Sequence, residues 1–308
     1  MIHFYKVITR RTTMNHVIEI KNLTRDYGNH KGIFDVNINV KKGEVFGFLG
    51  PNGAGKTTTI RHLMGFIRAK EGNCTINGMD CFTKSPQIQK TLGYLAGEIA
   101  FPSDLPGVKL IDFIAAMKGI SNNNRISELL NRFELDPQSK IKKMSKGMKQ
   151  KVGIICAFMN DPEVIILDEP TSGLDPLMQN RFIELIMEEK AKGKTILMSS
   201  HIFEEVEKTC DRTAIIRNGN IVAIEDMESL KKKKQKEYMI TFSTKEAAKG
   251  FEATHCEILD LADKTVTVKL TGRLPEFLEH ISHYPITALD IRTQSLEEIF
   301  MHYYGGEK

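Results

Sequence analysis

The sequence predicts an α/β fold: a P-loop core with an antiparallel β subdomain and a helical insert, plus a small α+β C-terminal domain. Three observations predict it. Gly50-Pro51-Asn52-Gly53-Ala54-Gly55-Lys56-Thr57-Thr58 has the G-x-x-x-x-G-K-T form and lies between an apolar strand and a helix start. Val164-Ile165-Ile166-Leu167 is a continuous apolar run, as a strand covered on both faces requires, and it ends on Asp168-Glu169. Beyond Lys231-Lys232-Lys233-Lys234-Gln235-Lys236 the strand and helix signals take the order β-α-β-β-α-β.

The chain has 308 residues, enough for one large domain or two smaller ones. It is 41% hydrophobic and 27% charged, an ordinary globular composition. A net charge of +4 is too weak to suggest nucleic acid. Five cysteines (Cys74, Cys81, Cys156, Cys210 and Cys256) form no metal-type cluster and no C-x-x-C pair, which reads as a reduced, cytosolic chain. No uninterrupted apolar run reaches the length of a membrane span. Residues 1–16 read as an extension, an upstream start or disordered arm rather than a targeting signal, because Met1 to Met14 has no long apolar core and no small-residue cleavage site.

Val17-Ile18-Glu19-Ile20 alternates as a strand, and Asp26-Tyr27-Gly28 turns the chain. Ile33 to Val40 alternates over most of its length, a half-buried strand. Lys41 to Glu44 leads into Val45-Phe46-Gly47-Phe48-Leu49, the strand before the glycine loop, and Thr59 to Met64 reads as the helix after it. Glu71-Gly72-Asn73 and Asn77-Gly78 mark turns around a short strand, Cys74-Thr75-Ile76. Leu92 to Leu95 is another short strand. Helical patterns over Val108–Gly119, Arg125–Phe133 and Lys146–Phe158 make residues 98–160 a helical insert. The sheet resumes at Val164. A helix over Leu177–Ala191, a strand over Thr195–Met198, a helix over Ile202–Cys210 and a hairpin turning at Asn218-Gly219 follow. The first domain then spans 17–230 and the accessory domain 231–308. The lysine run reads as a solvated helix end or linker, with attraction to anionic lipid headgroups as the functional alternative. Leu296 to Phe300 reads as a closing helix.

A strand, a glycine turn and a helix N-terminus place backbone N–H groups around an anion. Lys56 would reach the β- and γ-phosphates, and the Thr57 hydroxyl would sit on Mg²⁺. Asp168 ends its strand at the carboxyl edge, where ligands bind in open α/β sheets, and suits Mg²⁺ coordination. Glu169 follows into the same crevice and could deprotonate the attacking water. His201, after the strand Thr195–Met198, is placed to hydrogen-bond a γ-phosphate. Ser145 is a good N-cap for the helix that Lys146 and Gly147 open. That stretch is either only a capped helix or a second phosphate-binding helix N-terminus, serving another copy of the chain.

With these residues in place the chain resembles the nucleotide-binding subunit of an ABC transporter. Gly50 to Thr58 is similar to that family's Walker A motif, and Asn52, Gly53, Ala54, Gly55, Lys56, Thr57 and Thr58 become its nucleotide contacts. Val164 to Asp168 with Glu169 is similar to Walker B and the catalytic glutamate. Ser172-Gly173-Leu174-Asp175 resembles the D-loop and His201 the switch histidine. Met144-Ser145-Lys146-Gly147-Met148 stands where the family has Leu-Ser-Gly-Gly-Gln, with Ser145 and Gly147 retained. Tyr27 falls where an aromatic ring stacks on adenine. Where the family has a glutamine that contacts Mg²⁺, Gly93-Tyr94-Leu95-Ala96-Gly97-Glu98 offers only Glu98. The resemblance implies a P-loop ATPase using ATP and Mg²⁺, working as a head-to-tail homodimer. It implies a membrane-spanning permease on a separate chain, a peripheral place on the cytoplasmic face of the membrane, and no nucleic acid. Ser295-Leu296-Glu297-Glu298-Ile299-Phe300 resembles single-cassette exporters of the drug and peptide-antibiotic resistance type. A soluble ABC ATPase acting on ribosomes or DNA is the alternative; such proteins usually carry two cassettes or a coiled-coil insert, and this chain has neither.

Overall fold

The computed structural model describes residues 16–233, 236–295 and 297–299. The expected N-terminal extension lies outside them except for His16, as do Leu296 and Phe300 of the expected closing helix. The chain divides into two compact units between Asp226 and Met227.

The first unit opens with β1 (His16–Asp26), β2 (Gly32–Lys41), β3 (Val45–Leu49), α1 (Lys56–Leu63), β4 (Glu71–Ile76), β5 (Met79–Asp80), α2 (Ser85–Thr91) and β6 (Leu92–Leu95). The helical stretch is α3 (Gly107–Met117), α4 (Asn124–Arg132) and α5 (Lys146–Phe158). Then come β7 (Val164–Asp168), α6 (Pro176–Ala191), β8 (Thr195–Ser200), α7 (Phe203–Thr209), β9 (Arg212–Arg217) and β10 (Asn220–Asp226). One sheet is antiparallel, in the order β2-β1-β4-β5. The other has the order β10-β9-β3-β8-β7-β6, parallel except for the hairpin strand β10. Ile18 and Ile38 from the first sheet and Phe46, Ile166 and Leu197 from the second share one core with Ile60 of α1.

The second sheet sets the site. β3, β7 and β8 are neighbours, buried along their length, and their carboxyl ends are level: Leu49 pairs with Ser200, and Asp168 with Ser199. The glycine loop, the Asp168-Glu169 turn and the His201 segment therefore leave the sheet from one edge.

Three local readings change. The helix after the loop begins at Lys56, not Thr59, because Gly55, at φ 116°, turns the chain directly into it. Lys56, Thr57 and Thr58 so occupy the first turn, where N–H groups have no intrahelical acceptor. β4 begins at Glu71, and the residues that read as a turn pair with β1 across a register shift. Gly72 permits this, since a Cβ there would lie 2.3 Å from the Asn22 carbonyl oxygen. β8 continues past Met198 through Ser199 and Ser200, because both have strand partners. The helix α2, with Pro86 in its first turn, has no counterpart in the sequence reading.

The second unit holds α8 (Met227–Lys233), β11 (Lys236–Phe242), α9 (Lys245–Lys249), β12 (Cys256–Ala262), β13 (Thr265–Leu270), α10 (Leu274–Ser282) and β14 (Ile286–Thr293). Its antiparallel sheet has the order β12-β13-β11-β14, and Tyr238, Ile240, Phe242, Val266, Val268 and Phe277 form its core. Lys231 and Lys232, the start of the lysine run, are exposed on α8.

Candidate nucleotide-binding site

A cleft of about 810 Å³ lies over the carboxyl edge of β3, β7 and β8. Of the residues singled out in the sequence, Tyr27, Asn52, Gly53, Gly55, Lys56, Thr57, Thr58, Glu98, Asp168, Glu169 and His201 line it. Ala54 is buried; its carbonyl accepts from Gly219 N–H (3.0 Å), so it holds the loop through its backbone. Ser145 and Gly147 do not line the cleft.

Lys56 is buried, and its Nζ donates to the carbonyl of Gly50 (2.6 Å). The same ammonium lies 3.0 Å from Glu169 Oε1. Glu169 Oε2 is hydrogen-bonded to His201 Nδ1. One carboxylate thus joins the lysine of the loop to the histidine after β8. Glu169 stands at φ 50°, in the left-handed region, which costs a non-glycine residue of order 1–3 kcal/mol. Its backbone is fixed on both sides. Ser199 Oγ accepts from Glu169 N–H (3.0 Å), and the buried Gln150 Nε2 donates to the carbonyls of Glu169 (3.2 Å) and Pro170 (2.8 Å).

Asp168 is fully buried, and its Oδ1 accepts from Ser199 Oγ at 2.5 Å. Its Oδ2 is buried and makes no hydrogen bond. A Cβ at Gly97 would lie 3.0 Å from that oxygen, so glycine keeps the approach to it open. An unpartnered carboxylate oxygen, with the Thr57 hydroxyl in the same cleft, is a hard-oxygen donor set that could hold Mg²⁺ together with phosphate oxygens. Among the described residues no group of three or more His, Cys, Asp or Glu side chains is arranged to hold a metal by itself.

Tyr27 is 54% exposed at the rim, with the Arg25 guanidinium 5.1 Å from its ring centre. A half-open aromatic face of this kind can stack on a base. At α5 the Ser145 hydroxyl accepts from Met148 N–H (3.2 Å), the N-cap the sequence predicts. Gly147 has a reason within its own chain: a Cβ there would lie 2.6 Å from the carbonyl oxygen of Gly173.

Sequence reasoning missed Ser199, Gln150 and several residues of the lining, among them Arg61, Tyr94 and Asn218. Ser199 had no signal of its own: it follows the strand reading Thr195–Met198, and only the pairing of β8 with β7 sets it beside Asp168. Gln150 had none, since one polar residue in a helix gives no sign of facing inward.

Residues 33–172 match the family model described as "ABC transporter". The bacitracin transport ATP-binding protein BcrA of Bacillus licheniformis is 37% identical over 304 residues, 95% of this chain and 99% of that one. The linearmycin resistance ATP-binding protein LnrL of Bacillus subtilis (strain 168) is 30% identical over 308 residues, 94% of this chain and 98% of that one. A solved ATP-binding subunit of an ABC transporter superposes with a TM-score of 0.65 at 34% identity, over 70% of this chain and 92% of that one. The dimeric cassette MJ0796, at 24% identity and a TM-score of 0.62 over 68% of this chain and 98% of that one, shares the fold.

Proposed function

The chain belongs to the ABC transporter ATP-binding family and is an ATPase, and from that premise we propose that two copies dimerise head to tail on ATP to drive a separate membrane-spanning permease. The cargo class is an exported drug, peptide or lipid-like molecule, in keeping with the full-length similarity to a bacitracin transport protein and a linearmycin resistance protein. Among the described residues no helix is long and apolar enough to cross a membrane, which supports a path for cargo supplied by another chain. The protein then works at the cytoplasmic face of that membrane.

Within one site, the N–H groups of the glycine loop and the first turn of α1 bind the β- and γ-phosphates, with Lys56 among them. Tyr27 stacks on adenine. Thr57 and Asp168 would hold Mg²⁺, with Glu98, also in the cleft lining, as a third oxygen donor, and the bound ion would neutralise charge on the phosphate oxygens. Glu169 takes the proton of the attacking water. His201, held by Glu169, reaches the γ-phosphate.

The observation that carries the dimer is the position of the Ser145 helix. Its N-terminus is capped and carries a retained serine and glycine, yet it lies outside the cleft of its own chain. Its free N–H groups and positive dipole end suit a phosphate on a second copy. Glu169→Gln keeps the shape of the site and removes the base. It should bind ATP normally, lose turnover by about 10²–10⁴-fold, and form dimers with ATP but not ADP. Adding Ser145→Asp keeps the N-cap but sets a carboxylate against the partner's phosphate, and should abolish the dimer while ATP binding persists. Sedimentation velocity with each nucleotide reads the result. Near-normal turnover in Glu169→Gln overturns the catalytic reading, and dimers indifferent to nucleotide and to Ser145 overturn the shared site.

A further inference from the structure

We propose that Glu205 is a positioning residue that fixes the residues flanking His201 and so sets the histidine against the γ-phosphate. The proposal rests on the role given above to His201.

α7 carries two adjacent glutamates in its first turn, and they do different things. Glu204 is exposed and pairs with Lys208 one turn on, an ordinary surface arrangement. Glu205 points inward and is 4% exposed. Among the described residues no basic side chain forms an ion pair with it. A buried acid without a cation is costly unless hydrogen bonds hold it. The hydrogen bond that holds this carboxyl comes from the residue before His201. Glu205 Oε2 accepts from Ser200 Oγ at 2.6 Å, and Ser200 Oγ in turn accepts from Ile202 N–H at 2.9 Å. The residues on either side of His201 are thereby fixed to one carboxyl group. Its other oxygen, Oε1, is buried and makes no hydrogen bond. Glu205 therefore holds the segment that aims the histidine, and it lines no part of the nucleotide cleft itself.

Burial is the main cause that pushes the Glu205 carboxyl up to about 7; the Ser200 and Thr171 hydroxyls oppose the rise and the Glu169 carboxylate adds to it. The neutral acid is thus present near neutral pH. Glutamine, of the same shape, keeps the acceptor for Ser200.

The test is steady-state ATP turnover by the full chain across a range of ATP. Misplacing reacting groups by about an ångström costs up to about 10²-fold, so Glu205→Ala should lower kcat by about 10–10²-fold and move KM by less than about 3-fold. Glu205→Gln should recover kcat to within about 3-fold of the parent. Glu205→Ala combined with His201→Ala should be little worse than His201→Ala alone, because both act through the histidine. The proposal is overturned if Glu205→Ala keeps kcat within about 2-fold of the parent, if its loss is in KM, or if the two losses multiply in the double variant. Should Glu205→Ala not fold, Ser200→Ala, which cuts the link to Ile202, must show the same split of kcat from KM, and its failure to do so overturns the proposal equally. Glu169→Gln, measured alongside, separates the two levels. If it turns over normally, the reading of the site fails; if it collapses while the Glu205 variants behave like the parent, only the role of Glu205 fails.

Discussion

Removing a single buried hydroxyl should unsettle both acids of the site at once. Ser199 Oγ donates to Asp168 Oδ1 at 2.5 Å and accepts from Glu169 N–H at 3.0 Å, and both Ser199 and Asp168 are fully buried. Ser199→Ala removes a hydrogen bond to a charged group, worth about 1.5–3 kcal/mol, and leaves the Glu169 amide without its acceptor at a further cost of about 1–3 kcal/mol. The two losses share one atom and do not add fully, so the expected destabilisation is about 2–4 kcal/mol. Asp168 Oδ2 already lacks a partner, so the variant leaves a buried carboxylate with no donor on either oxygen. Bound Mg²⁺ would offset the lost donor to Asp168 but not the lost acceptor of Glu169 N–H, so the gap between variant and parent should narrow without closing when Mg²⁺ and nucleotide are saturating. The assay is urea unfolding with and without Mg²⁺ and nucleotide. The two units can unfold in separate steps, so the transition to follow is the one that nucleotide moves. A variant within about 0.5 kcal/mol of the parent, which is the scale of an unremarkable surface change, would refute the reasoning.

Two further outcomes test other parts of the molecule. Tyr27→Ala should weaken nucleotide binding by roughly 1–2 kcal/mol, the scale of base–aromatic stacking, while Tyr27→Phe stays near the parent; titration calorimetry checks both, and an alanine variant that binds normally makes Tyr27 a rim residue only. Glu205, with its carboxyl raised from 4.5 to about 7 by burial, favours folding in its protonated form, so its contribution is full below about 4.5, falls as pH rises from there and is lost by the time pH has passed about 7. Glu205→Gln should therefore match the parent at about pH 4 and exceed it by up to about 3 kcal/mol near pH 8, read from unfolding midpoints; a difference that does not vary with pH contradicts the assignment.

What the sequence disclosed about the site was whatever a short run of residues states by itself. The glycine loop declares a strand, a turn and a helix start in one stretch, and the apolar run at Val164 declares a strand covered on both faces. Those two runs fix the sheet edge, and Lys56, Asp168 and Glu169 come together on it. Contacts made across the sheet were illegible. Ser199 matters only because β8 lies level with β7, and a strand reading that stops at Met198 places it in a loop. Gln150 matters because α5 brings one polar side chain against the turn at Pro170, over a sequence separation that no local pattern encodes. Gly147 shows the opposite hazard. Its motif suggests a role toward a second copy, yet the carbonyl of Gly173 in the same chain already demands a residue without a side chain.

The arrangement at Glu169 carries a consequence for how the site is filled. Lys56 Nζ is shared between the Gly50 carbonyl and Glu169 Oε1, and Glu169 Oε2 is bonded to His201. In the proposed mechanism a γ-phosphate takes the same lysine, and it takes the other ring nitrogen of the histidine. Phosphate and Glu169 would therefore compete for Lys56, and like charge keeps them from sharing it at close quarters. On that reading the carboxylate swings from the lysine as phosphate arrives, and the position it gains is beside the γ-phosphate, where a water would be deprotonated. The backbone does not need to move for this. Ser199 and Gln150 hold the peptide groups on both sides of Glu169, so the left-handed turn stays while the side chain changes partner. A fixed backbone with a side chain free to exchange lysine for water keeps the base near its task whether or not phosphate is bound.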